Sequence, residues 1–78
     1  MPTILNKNGY RFFFFSEEGN EPMHIHIEKG EKYAKYWIQP ISLARNKNFR
    51  AHELTEIKRL IIENADKLEA KWNEYFNN

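Results

Sequence analysis

Within the stretch from Glu21 to Gly30, polar and apolar positions alternate strictly from Met23 to Glu28, with Met23, Ile25 and Ile27 on one side and His24, His26 and Glu28 on the other. A period of two is the pattern of a β-strand with one buried and one open face. Met23, Ile25 and Ile27 are therefore expected to enter a core, and His24, His26 and Glu28 to stand in a row on an open face. Upstream, Pro2 to Leu5 reads as a short first strand, followed by a turn from Asn6 to Gly9 built of residues that tolerate positive φ. Tyr10-Arg11-Phe12-Phe13-Phe14-Phe15 has no alternation, which predicts a strand buried on both faces and central in its sheet. Residues 16–21 form a polar connection. After the histidine strand, Gly30-Glu31-Lys32 makes a tight reversal and Tyr33 to Ile38 returns as its hairpin partner. Pro40 ends that strand. Ile41 to Arg45 is a weaker segment, read as a fifth, edge strand, and residues 46–48 as a loop.

The period then changes. Leu54, Ile57, Ile61, Ala65, Leu68, Trp72 and Tyr75 recur every three or four residues, the apolar stripe of a helix. Asn64 lies in the middle of the stripe, where it is placed to end one helix and cap another. The spacing predicts one bent helix or two helices over about residues 51–76, packed on one face of a four- to five-stranded antiparallel sheet over about residues 2–45. That is an α+β fold. The terminal Trp72, Tyr75 and Phe76 continue the stripe, so packing onto the sheet is favoured over a free partner-binding helix end.

Composition narrows the function classes. Seventy-eight residues make one small domain, 1–78, which buries only about 60–65% of its unfolded surface. Six Phe, four Tyr and two Trp are many for such a chain, and those left outside the core would mark a partner surface or a homodimer contact. With no cysteine there is neither a disulfide framework nor thiolate chemistry. No apolar run is long enough to span a bilayer and no signal-peptide pattern opens the chain, so a cytoplasmic protein without a membrane partner is expected. The net charge of +1 is unevenly spread. Residues 29–50 carry Lys29, Lys32, Lys35, Arg45, Lys47 and Arg50 against Glu31 alone, while acids outnumber bases on either side. A basic middle third suits phosphate or an acidic partner.

Several segments together carry a resemblance: Met1-Pro2-Thr3-Ile4, Gly9-Tyr10-Arg11-Phe12-Phe13-Phe14, Pro22 with His24-Ile25-His26-Ile27, Ala34-Lys35-Tyr36-Trp37, and Glu63-Asn64 with Trp72-Asn73-Glu74-Tyr75-Phe76. Over nearly its whole length the chain resembles a family of small prokaryotic proteins known as domain of unknown function 4160. The resemblance implies a gene setting beside a second small protein, similar to toxin–antitoxin pairs. It carries over neither reaction nor substrate. Two positions depart from the pattern. Met23 separates Pro22 from His24, and Arg50-Ala51 stands where relatives begin the helix with a hydroxyl residue and proline, so a weaker N-cap is expected here.

Three readings of the histidine strand stay open. His24 and His26 lie about 7 Å apart on one strand face and with Glu28 offer three ligands of the type zinc accepts. No fourth ligand is evident, and His52 stands far along the chain. They are equally readable as ordinary polar residues of a sheet face, or as metal-free acid–base and anion-binding groups. If Ala34, Tyr36 and Ile38 face the core, Lys35 and Trp37 join the histidines, with Arg11, Phe13 and Phe15 from the adjacent strand. Rings interleaved with cations form a platform for single-stranded nucleic acid. The leading expectation is thus a component of a toxin–antitoxin-like pair that binds or cleaves RNA without metal or other cofactor. His24, His26, Arg11 and Glu28 would be its catalytic set, and Lys29, Lys32, Lys35, Trp37 and Arg45 would hold the nucleic acid. A non-catalytic protein-interaction module, docking a cognate small protein encoded nearby, is the runner-up, and a metal-dependent hydrolase comes third.

Overall fold

The computed structural model describes residues 3–15 and 20–76; Pro2, at the expected start of the first strand, and residues 16–19 of the expected polar connection lie outside them. Five strands, β1 (Thr3–Lys7), β2 (Tyr10–Phe13), β3 (His24–Lys29), β4 (Lys32–Ile38) and β5 (Ile41–Lys47), form one sheet in sequence order, every neighbour antiparallel. Two helices follow, α1 (Ala51–Glu63) and α2 (Ala65–Phe76). The α+β architecture expected from the periodicity is the one observed.

Local chemistry sets the turns. Asn8 and Gly9 both adopt positive φ, 53° and 85°, as the two-residue I′ turn that matches strand twist demands. At the β3–β4 turn Gly30 has φ 60° and Glu31 stays negative, the pattern of a II′ turn led by glycine. A cis peptide joins Gln39 to Pro40 between β4 and β5. The fifth strand is longer than its apolar content suggested and runs through Asn46 and Lys47, both expected in a loop. Asn46 explains the extension. Its side-chain amide donates to the Phe49 carbonyl at 3.1 Å and its Oδ1 accepts from the Phe49 amide at 3.1 Å. That bracket, with Asn48 at φ 74°, drops Phe49 into the core beside Tyr10.

One face of the sheet, with Tyr10, Phe12, Ile25, Ile27, Ala34 and Tyr36, packs against Ile57, Leu60 and Ile61 of α1. Two tyrosines anchor the helix: the Tyr36 hydroxyl donates to the Leu54 carbonyl at 3.1 Å, and the Tyr10 hydroxyl to Glu56 at 2.8 Å. Burial, then the Glu56 carboxylate, pushes the Tyr10 phenol up to about 12. A group whose folded value is raised contributes stability that is present below its unfolded value of 10.0 and is lost as pH climbs towards about 12. Burial raises the Tyr36 phenol as well, so ultraviolet titration should show late phenolate ionisation, including a step at about 12 that Tyr10→Phe removes. A Tyr10→Phe protein that keeps it would assign the step elsewhere.

The helix ends follow from single side chains. Arg50 stands at the N-cap of α1 and makes no side-chain cap, the weaker start its identity implied. Glu53 compensates by accepting from the Arg50 amide at 2.9 Å and from Lys32 Nζ at 2.8 Å. These bonds hold its carboxyl below the ordinary value. Asn64 separates the two helices: its side-chain amide donates to the Leu60 carbonyl at 2.8 Å, and its own carbonyl accepts from Leu68 at 3.0 Å, opening α2. The break shifts the phase of the stripe. Leu68 and Trp72 stay buried, whereas Tyr75 turns outward and Phe76 packs in its place.

Candidate functional site

Strand register puts the expected residues on one face. Phe13 pairs with His26 and Arg11 with Glu28 across β2 and β3, while His24 pairs with Trp37, His26 with Lys35 and Glu28 with Tyr33 across β3 and β4. Directly opposed residues of antiparallel strands point to the same side. His24, His26, Glu28, Arg11, Lys35 and Trp37 therefore share the face away from α1, as the alternation implied.

That face is not open at the histidines. His24 is 0% and His26 2% exposed, as buried as Ile25 and Ile27 between them. Rings close over them, from the neighbouring strands at His26 and from β4 and α2 at His24. His26 stacks between Phe13 at 5.4 Å and Tyr33 at 5.8 Å, with the edge of Phe15 at 4.5 Å. Its Nδ1 hydrogen-bonds the Tyr33 hydroxyl at 2.7 Å. His24 is enclosed by Trp37 at 5.7 Å, by His26 at 5.1 Å and by Trp72 of α2 at 5.0 Å. Its Nδ1 lies 2.8 Å from the Pro22 carbonyl and so donates to it. Aromatic side chains on a pleated surface are large enough to close over an imidazole between them. The expectation of an exposed histidine pair is corrected on that ground. A 2′-hydroxyl or scissile phosphate would have to displace this packing to meet either ring.

The charged members are also engaged. Arg11 Nη1 donates to Glu28 Oε1 at 2.6 Å, its Nε donates to the Thr3 hydroxyl at 2.8 Å, and its guanidinium lies 4.4 Å over the Phe13 ring. Lys35 Nζ donates to Glu21 at 2.9 Å and sits 4.6 Å over the indole of Trp37. Each cation beside the histidines thus has a carboxylate at its tip and a ring beneath it. Lys29 and Lys32, expected with them, lie on the opposite face: Lys29 caps the Tyr10 ring at 4.7 Å and Lys32 pairs with Glu53 of α1. The parity of β3 and β4 is the cause, since both residues alternate in phase with Ile27 and Ala34. Among the described residues no three of His, Asp and Glu are grouped so as to hold a metal ion.

Arg45 also lies on the histidine side, and with it Lys47: Arg45 pairs with Lys35 across β4 and β5, and Lys47 pairs with Tyr33. Both are exposed, and neither has an ion pair among the described residues. Sequence reasoning left Tyr33, Lys47 and Glu21 out of the site. Tyr33 and Lys47 were recoverable, because period two from Trp37 through Lys35 reaches Tyr33 and its hairpin neighbour. Glu21 was not, because no strand periodicity governs the segment in which it sits. Comparison with curated proteins and with solved structures returned no match. A model of one family does match, over residues 9–73, and the chain belongs to that family, described as Domain of unknown function (DUF4160).

Proposed function

We propose that this protein is a non-catalytic RNA-binding component of a prokaryotic, toxin–antitoxin-like pair, and that RNA lies along the β4–β5 half of the histidine-side face. One observation carries the reading: Arg45 and Lys47 stand two residues apart on an exposed strand, next to half-buried Tyr33 and Trp37, without carboxylates of their own among the described residues. Cations beside ring surfaces give a sequence-tolerant track, with phosphates on the charges and bases on the rings. Buried His24 and His26 then shape the sheet under the track and take no part in cleavage. The two-gene setting is what the family resemblance implies.

Fluorescence anisotropy with a short unstructured RNA tests the reading. Affinity should fall with salt, with log K against log salt sloping by about −0.7 for each phosphate contact. Arg45→Ala and Lys47→Ala should each flatten the slope by about that amount. Lys35→Ala should flatten it less, since its ammonium is already held by Glu21, and Lys67→Ala on α2 should leave it unchanged. A folded protein with no measurable binding at low salt overturns the proposal.

A further inference from the structure

β1 and β5 are the outermost strands of the sheet, and the edge of β5 differs in kind from the rest of the described surface. Six of its seven residues are exposed. On the histidine side it presents Arg45 and Lys47; on the helix side it presents Leu43, 45% exposed and opposite Tyr36. Lys35 pairs with Arg45 and Tyr36 with Leu43, so Ala44 is an extra residue, a bulge in the strand. Cations and bulges are the devices by which natural sheets keep edges from joining their own kind. β5 contains no carboxylate at all, so a second copy would bring two more cations to the same edge and nothing to neutralise them. The same features admit a strand of opposite charge, because specificity rests as much on what is repelled as on what is bound.

The geometry points to β5 as the docking edge for an extended acidic segment of another protein, which we propose adds as a sixth strand. Main-chain hydrogen bonds would supply the affinity, as in other strand additions. Carboxylates at alternate positions would meet Arg45 and Lys47, and an apolar side chain on the partner's other face would cover Leu43. The inference stands apart from the RNA reading: it needs the outer main-chain groups of β5, which a nucleic acid lying on the face does not use. If both hold, the strand and RNA exclude one another, because both draw on the same two cations.

The probe is a labelled peptide of alternating glutamate and valine, compared with the same peptide N-methylated at alternate amides and with an RNA of equal charge. The expected result is saturable binding of the unmethylated peptide, lost at least tenfold on N-methylation and in the Arg45→Glu, Lys47→Glu double variant. Slowed hydrogen exchange at backbone amides within residues 41–47 should accompany it. Equal binding of the methylated peptide, or no added protection in β5, overturns strand addition. RNA binding without peptide binding sinks this inference and leaves the proposed function standing, whereas peptide binding without RNA binding does the reverse.

Discussion

Replacing Trp72 with alanine lowers the unfolding free energy by about 3–5 kcal/mol, the range for deleting a buried indole. Trp72 is 5% exposed and, with Leu68 and Phe76, holds α2 to the sheet. Its ring meets Phe14 at 5.2 Å, His24 at 5.0 Å and Phe76 at 4.2 Å, so its loss opens a cavity lined by three other rings. Domains of this size hold about 5–15 kcal/mol in all, and such a loss is a large share of that margin. Tyr75, three positions on and 44% exposed, is the control: Tyr75→Ala should stay within about 1 kcal/mol of the parent. Denaturant titration of both variants decides it. Equal losses at the two positions would mean that α2 does not seal the end of the histidine strand.

How much of this was legible beforehand depended on which force set each feature. Strand order and the covered face followed from alternation and turn residues, because a slip of one residue would turn Ile25 and Ile27 out of the core. The helix break followed from a lone asparagine in an apolar stripe. Phe49 was not legible, since an isolated ring between Asn48 and Arg50 has no period; the Asn46 bracket is local, but the place beside Tyr10 that the ring fills is set by the fold. The state of the histidine face was half legible. Parity placed Arg11, Phe13, His24, His26, Lys35 and Trp37 together, but it does not reveal whether rings on neighbouring strands leave a gap or close it. Here those rings and Trp72 close it, and the polar label on alternate positions misleads, because an imidazole packed among rings is buried as fully as the isoleucines beside it. Charge was misleading in a second way. The basic middle third is real in sequence, yet the fold sends Lys29 and Lys32 to one side and places Glu21 and Glu53, from outside that segment, against Lys35 and Lys32. Only the β5 end keeps the surplus that the composition announced.

The burial of the histidine strand on both faces has a direct consequence. Ile25→Ala and His24→Ala should each cost about 2–4 kcal/mol, because each removes a buried side chain of similar size. His24 loses in addition the hydrogen bond to the Pro22 carbonyl, which leaves that oxygen to find another donor. An open-face histidine would instead cost well under 1 kcal/mol, as exposed positions do. Chemical modification gives an independent reading of the same geometry. Diethyl pyrocarbonate acylates accessible imidazole nitrogens, and of the three histidines only His52 is exposed. The native protein should therefore take up one equivalent rapidly and two more only as it unfolds. In Trp72→Ala, where the ring over His24 is gone, a second equivalent should react in the folded state. Rapid reaction at His24 and His26 in the parent protein, with a cheap His24→Ala, would restore the open histidine face and with it the case for catalysis.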